Sequence, residues 1–441
     1  KAGSSEAHGA PLGADEVRLT KIAYGLDPDK AFDIPADILG HFRAAAEQGE
    51  DLVADWERRL KAYGEAFPAE AAELRRRMAG QLPTSWDADL PVYQAGDAGL
   101  ATRNASKNAL QALKGRLPEL FGGSADLSGS NLTDLAGETD LTAGEAGRNI
   151  RFGVREHAMG AIANGIAYHG GLLPYVATFL NFSDYMRGSV RVAALSGLHV
   201  AYVWTHDSIG VGEDGPTHQP VEHYAALRAM PNLTFVRPGD PNEASAAWAL
   251  AVEHRTGPVA LAFTRQKLPI LAGTAERARD GVRAGAYVLA EAATADGTVT
   301  APELILVASG SELALAVAAR EALEAEGIRT RVVSMPSWER FQAQPAAYRD
   351  EVLPRGVPAR VSIEAGVSLG WERWVGDSGA IIAIDRFGLS APAEQIFERF
   401  GFNTENVVRV ARGVLAGEIR GVVSAPGEHA GGTTLDALEA R

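Results

Sequence analysis

The 441-residue sequence contains no cysteine, which excludes a disulfide framework, thiolate metal sites and a thiolate nucleophile. No apolar run approaches the ~18 residues that a membrane span needs. Positive charge is in deficit: 42 Lys and Arg stand against 56 Asp and Glu, a formal charge of −14. That balance argues against nucleic acid and anionic membranes as partners. An anionic ligand approaching so acidic a chain needs a local cluster of Arg and His. The opening run Lys1-Ala2-Gly3-Ser4-Ser5-Glu6 lacks the pattern of a signal peptide, and a cytoplasmic location is the expectation. Apolar residues at 46% and charged residues at 22% are ordinary for a globular chain, and the length accommodates roughly two to three domains.

The hydrophobic pattern predicts an α/β fold: two successive parallel-sheet domains with helices on both faces, preceded by a helical segment. Over 1–90 the pattern is helical throughout. Asp15-Glu16-Val17 starts one helix, with acids near its positive end. Leu52, Trp56, Leu60 and Tyr63 form an amphipathic stripe, and Pro68 restarts a helix running to Met78. From 91 to 275 helices and strands alternate, which predicts a parallel sheet. The helices are expected over Asn104–Leu113, Glu156–Tyr168, Ser183–Leu195, Val221–Arg228 and Asn242–Glu253. The strands are expected over Leu173–Ala177, Val200–Thr205, Leu233–Arg237 and Val259–Thr264. The stretch Gln266–Gly273 and the charged run Glu276–Asp280 read as a boundary. A second unit spans 283–415, with strands expected at Leu304–Ala308, Ile328–Ser334 and Arg360–Glu364, Ser311 as an N-cap and a helix over Glu394–Phe400. The tail 416–441 reads as a poorly ordered extension.

The densest chemistry lies in Gly212-Glu213-Asp214-Gly215-Pro216-Thr217-His218-Gln219-Pro220, a few positions after Thr205-His206-Asp207-Ser208. A turn needs Gly and Pro but has no need of two His and three acids within thirteen positions. The preceding apolar run Val200–Trp204 presents these groups from a rigid strand end. The segment resembles the GEDGPTHQP signature of transketolases, thiamine-diphosphate enzymes that move two-carbon ketol units between phosphorylated sugars. Further resemblances follow in the same order: His8–Gly13, Gly122–Leu127 with Ser130-Asn131-Leu132, Gly153-Val154-Arg155-Glu156, Thr178–Phe182, Ser390–Glu394 and Phe400-Gly401-Phe402.

The resemblance implies roles for particular residues. Glu156 would hydrogen-bond the cofactor's pyrimidine ring and help generate its carbanion. Phe179, Phe182 and Tyr185 would flank that ring, with Asp126, Leu127 and His8 as further cofactor contacts. Arg103, Ser130, His206 and Arg265 would hold the sugar phosphate, the Arg–His cluster that the acidic net charge demands. Asp214 would bond a sugar hydroxyl, and His218 and His8 would contact reacting hydroxyls and move protons. The implied partners are phosphorylated sugars and a second copy of the chain, with the active site at the subunit interface.

The resemblance also implies thiamine diphosphate and Mg2+. The sequence shows no Gly-Asp-Gly metal motif; Gly96-Asp97-Ala98-Gly99 lacks the pattern. The expectation is therefore a truncated transketolase, with 1–90 the helical tail and linker of a largely missing diphosphate-binding domain. No metal ligand is assigned, and the isolated chain is expected to be inactive. Two other readings stay open: a related thiamine-diphosphate enzyme, such as 1-deoxyxylulose-phosphate synthase or a 2-oxo-acid dehydrogenase β-subunit, and a non-catalytic subunit.

Overall fold

A computed structural model describes residues 1–294 and 297–423. It divides into two units, Lys1–Arg75 and a larger one beginning at Arg76. The first unit is helical, with helices Ala14–Ala23 and Ala36–Ala66 and the start of Pro68–Met78. Asp15 and Glu16 occupy the first turn of Ala14–Ala23, where their charge offsets the helix dipole. Pro68 opens its helix, as its locked φ and missing N–H favour. Leu52, Trp56 and Tyr63 leave the face of Ala36–Ala66 exposed.

The second unit is built on two six-stranded sheets. The first is wholly parallel, in the spatial order Asn149–Arg151, Leu120–Ser124, Leu173–Phe179, Ala201–Thr205, Val259–Phe263, Thr234–Val236. Its central strands are buried along their whole length, as expected where helices cover both faces. Alternate residues feed two cores: Tyr175, Val203 and Phe263 pack with Trp248 and Leu113, while Val176, Tyr202 and Trp204 pack with Met159 and Val190. The second sheet runs Gly421–Val423, Ala380–Ile382, Arg360–Ile363, Leu304–Ala308, Thr330–Ser334, Tyr287–Ala290. Its last strand is antiparallel to its neighbour, so this sheet is mixed rather than purely parallel.

Several local expectations need correction. Leu120–Ser124 and Asn149–Arg151 are strands that the hydrophobic pattern did not reveal. The first is rich in glycine because it must be: a Cβ on Gly122 or Gly123 would lie 1.8 Å from the Tyr175 carbonyl oxygen or 2.0 Å from that of Ile150. The helix expected at Ser183–Leu195 begins as a 3-10 turn, Leu180–Met186, and continues as Arg187–Ser196. Ser311 caps nothing; it lies inside the turn Gly310–Glu312 ahead of helix Leu313–Ala325, and its hydroxyl donates to Glu312 Oε1 at 2.5 Å. The charged run Glu276–Asp280 is part of a helix, Thr274–Ala284. Of the tail, Gly421–Val423 is a strand paired with Ala380–Ile382, and residues 424–441 lie outside the described region.

The seam between the two sheets carries buried charge. Glu243 accepts hydrogen bonds from Tyr287 Oη at 2.8 Å and Ser334 Oγ at 2.5 Å. Burial, reinforced by the charge of Asp240, pushes its carboxyl up from 4.5 to about 7. Between those two values the folded chain keeps a proton that the unfolded chain has released. Its contribution to stability is therefore full below pH 4.5 and falls as pH rises toward 7. Replacing Glu243 with Gln should remove that slope, measured as the urea midpoint against pH; an unchanged slope would contradict the assignment.

Candidate active site

The sheet delivers its polar residues at the carboxyl ends of its strands, where ligands bind in open parallel sheets. Two buried threonines set the first side of the site. The Thr102 amide donates to Thr264 Oγ1 at 3.0 Å, and the Thr264 amide donates to Thr102 Oγ1 at 2.7 Å. This reciprocal pair ties the start of helix Thr102–Arg116 to the end of strand Val259–Phe263. The next residue on each side is an arginine, Arg103 and Arg265. Arg103 donates from Nη1 to the Ser130 carbonyl at 3.0 Å, and the same atom lies 3.5 Å from His206 Nε2. Burial depresses the pKa of Arg103, and the charge of Arg265 depresses it further.

His206 follows strand Ala201–Thr205 with φ of 59°, a left-handed conformation that costs energy for a side chain of this kind. Its ring is buried against Phe179, centroids 3.7 Å apart. Thr205 Oγ1 donates to Asn131 Oδ1 at 2.6 Å and lies 2.7 Å from His206 Nδ1. While the hydroxyl proton serves Asn131, Nδ1 is the donor and Nε2 the acceptor on the neutral ring. Burial, then Arg103, Arg265 and His218, lowers the pKa of His206 to about 3. Four basic groups thus crowd one place and disfavour the charged form of His206, an arrangement that an anion would relieve.

An aromatic shelf completes the site. Phe179 stacks on Phe182 at 5.7 Å, Phe182 neighbours Tyr185 at 6.1 Å, and His218 meets Phe182 edge-on at 5.2 Å. His218 belongs to the Gly212–Pro220 turn, whose Gly212 and Gly215 have φ of 83° and 78°. The turn is pinned from two sides. Asn181 Nδ2 donates to the Thr217 carbonyl at 2.7 Å. From the second sheet's domain, Ser390 Oγ donates to the Glu213 carbonyl at 2.6 Å, and the Leu389 carbonyl accepts from Gln219 Nε2 at 2.8 Å.

The structure therefore brings together Arg103, Ser130, Phe179, Phe182, Tyr185, His206, His218 and Arg265. Asp214 is exposed on the same turn as His218. Asp126, with φ of 62°, and Leu127 follow strand Leu120–Ser124, and the Leu127 carbonyl accepts from the Ser130 amide at 3.0 Å. Glu156 is half-buried at the start of helix Glu156–His169, which packs on the turn Leu180–Met186. His8 is exposed in the first unit, on Glu6–Gly9. Sequence reasoning named no role for Asn131 and Thr205, which orient His206; their place inside the Ser130-Asn131-Leu132 and Thr205–Ser208 motifs was the available signal.

The candidate site thus lies at the strand ends of the first of two consecutive sheet domains. Three domain models match the chain: the transketolase thiamine diphosphate binding domain over residues 1–83, the transketolase pyrimidine binding domain over 98–270, and the transketolase-like C-terminal domain over 285–403. Over most of its length the chain is similar to transketolases. It is 54% identical to the transketolase of Geobacillus stearothermophilus over 417 residues and 47% identical to that of Bacillus subtilis over 417 residues. Each match covers 94% of this chain and 62% of the relative. Among solved structures it is similar to the transketolase from Leishmania mexicana, with TM-score 0.86 and 45% identity over 97% of this chain and 62% of that one. The Pichia stipitis transketolase in complex with sedoheptulose 7-phosphate gives TM-score 0.86 and 41% identity, over 96% of this chain and 62% of that one.

These matches correct one expectation. The thiamine diphosphate binding domain is matched in residues 1–83, so all three domain types are represented, and the expectation of a chain defined by the loss of that domain is withdrawn. The chain spans 62% of the length of these relatives.

Proposed function

We propose that this protein catalyses reversible transfer of a two-carbon ketol unit from a ketose phosphate, such as xylulose 5-phosphate, to an aldose phosphate, such as ribose 5-phosphate, in the pentose phosphate pathway. The observation that carries this reading is the cluster of Arg103, His206 and Arg265 beside the Phe179–Phe182 shelf. The basic groups suit a phosphate, and the aromatic faces suit a flat heterocycle. Similarity to transketolases supports that cofactor; Mg2+ as its metal and a cytoplasmic location complete the proposal. When bound, thiamine diphosphate supplies a carbon nucleophile and holds the electron pair released by carbon–carbon cleavage.

In this reading each residue has a definite task. Glu156 shares a proton with the pyrimidine ring. Phe179, Phe182 and Tyr185 hold that ring in register, and Asp126 and Leu127 border the cofactor. Arg103, Ser130, His206 and Arg265 hold the sugar phosphate. A bound phosphate supplies the negative charge that lets His206 Nε2, an acceptor on the neutral ring, take up a proton and donate it to a phosphate oxygen, while Nδ1 keeps its bond to Thr205. Asp214 bonds a sugar hydroxyl and rejects substrates that leave it unpaired. His218 moves protons at the reacting hydroxyls.

An exposed apolar face on helices Glu156–His169 and Arg187–Ser196, with Tyr168 82% and Leu195 72% exposed, supports a homodimer with the site at the subunit interface. Formation of glyceraldehyde 3-phosphate from xylulose 5-phosphate and ribose 5-phosphate, with Mg2+ and thiamine diphosphate added, tests the activity; no product above the cofactor-free control would refute it. Arg265→Ala should raise KM for phosphorylated sugars roughly tenfold or more and leave kcat within about threefold. A lowered kcat with unchanged KM would remove Arg265 from the phosphate site.

A further inference from the structure

The carboxyl edge of the second sheet is the place where an open parallel sheet ordinarily receives a ligand. In this chain it receives an arginine from the first sheet's domain. Arg237 follows the edge strand Thr234–Val236 and is completely buried. Its backbone is already committed to the second domain: the amide donates to the Pro336 carbonyl at 2.9 Å, and the carbonyl accepts from the Gly310 amide at 3.1 Å. Its Nη1 donates to the Ser309 carbonyl at 3.0 Å and to Glu312 Oε2 at 2.5 Å, and Nη2 lies 3.4 Å from Glu312 Oε1. Gly310, with φ of 59°, leaves the space: a Cβ there would lie 2.2 Å from the guanidinium carbon.

The remaining nitrogen faces the candidate active site. Arg237 Nε donates to Asp207 Oδ2 at 2.9 Å, and Asp207 is the residue that directly follows His206. The Tyr224 hydroxyl donates to the Asp207 carbonyl, and its ring lies 4.7 Å beneath the Arg237 guanidinium. Glu312 is itself held, by the Ala365 amide at 2.9 Å and by Ser311 Oγ. Side chain and backbone of Asp207 are thus both clamped immediately after the left-handed φ of His206, a conformation that persists only where its surroundings over-determine it.

We propose that Arg237 is a positioning residue through which the C-terminal domain fixes the His206–Asp207 backbone, and so aims the His206 ring into the candidate phosphate site. The path is short and continuous: Glu312, Arg237, Asp207, His206. The C-terminal domain then sets part of the geometry of a site in which none of its residues has been given a chemical role. The consequence for phosphate affinity rests on the functional reading above; the placement of the ring does not.

The test alters the far end of the path and reads the near end. Protein labelled with 15N-histidine is compared as wild type, Glu312→Gln and Glu303→Gln, the last breaking only a half-exposed pair with Arg329 in the same domain. Glu312→Gln should shift the His206 ring nitrogen resonances, assigned with His206→Gln, while Glu303→Gln leaves them in place. The dissociation constant for inorganic phosphate should rise at least about fivefold in Glu312→Gln alone. Unmoved His206 resonances in folded Glu312→Gln would overturn the proposal even if ketol transfer is never detected. Should that variant fail to fold, Ser311→Ala removes one support of Glu312 and should shift the same resonances less; no shift would again overturn it. Shifted resonances with unchanged phosphate affinity would leave the positioning role standing and count against the phosphate reading.

Discussion

Glu156→Gln should lower ketol-transfer turnover by about 100-fold or more, the usual scale for losing a positioned proton-transfer group. The substitution keeps the side chain's shape and its place at the first turn of Glu156–His169, and removes only the capacity to take and release a proton. KM for the sugars should stay within about threefold, because the groups proposed to hold the phosphate come from other elements. Cofactor binding read by near-ultraviolet circular dichroism separates loss of proton sharing from loss of the site. Unchanged turnover in a folded variant would remove Glu156 from the proposed role.

Arg237→Met should destabilise the fold severely. Asp207 and Glu312 are completely buried and point at the same guanidinium. Burial by itself would lower the pKa of Arg237, and Glu312, Tyr224 and Asp207 outweigh it to hold the charge. Removing that charge strands two carboxylates in the interior, which costs about 3–5 kcal/mol. The urea midpoint should fall accordingly. Adding Asp207→Asn and Glu312→Gln should recover part of the loss, because the stranded charges go with it. A single variant as stable as wild type would contradict the account of the seam.

Glu364 belongs to the same seam and titrates in the opposite sense from Glu243. Burial would raise its pKa, but the charge of Arg228 with its two hydrogen bonds, then Arg237 and Ser309, brings it down to about 2. Its contribution is present above pH 4.5 and is lost as pH falls toward 2.

The fold class was legible because buried parallel strands such as Ala201–Thr205 and Val259–Phe263 are continuous apolar runs between helical stretches. The Leu120–Ser124 strand was not, because contact with Tyr175 and Ile150 demands glycine where the pattern looks for bulk. Motif order brought out Arg103, His206, His218 and Arg265, although their convergence depends on Thr102 and Thr264, 162 residues apart. The least legible part was the seam. Glu364 and Ser311 read as an ordinary strand-end acid and a helix cap. Yet Glu364 meets Arg228 at 2.7 Å and Trp371 Nε1 at 2.9 Å, while Ser311 supports the glutamate that grips Arg237. Nothing local in sequence distinguishes a solvated acid from one that anchors a neighbouring domain.

The most direct measurement is a crystal structure of the protein with Mg2+, thiamine diphosphate and xylulose 5-phosphate. The phosphate oxygens should lie about 2.7–2.9 Å from guanidinium nitrogens of Arg103 and Arg265, with His206 Nε2 in contact and the heterocycle against Phe179 and Phe182. A sugar phosphate bound elsewhere, with Arg103, His206 and Arg265 untouched, would contradict the account.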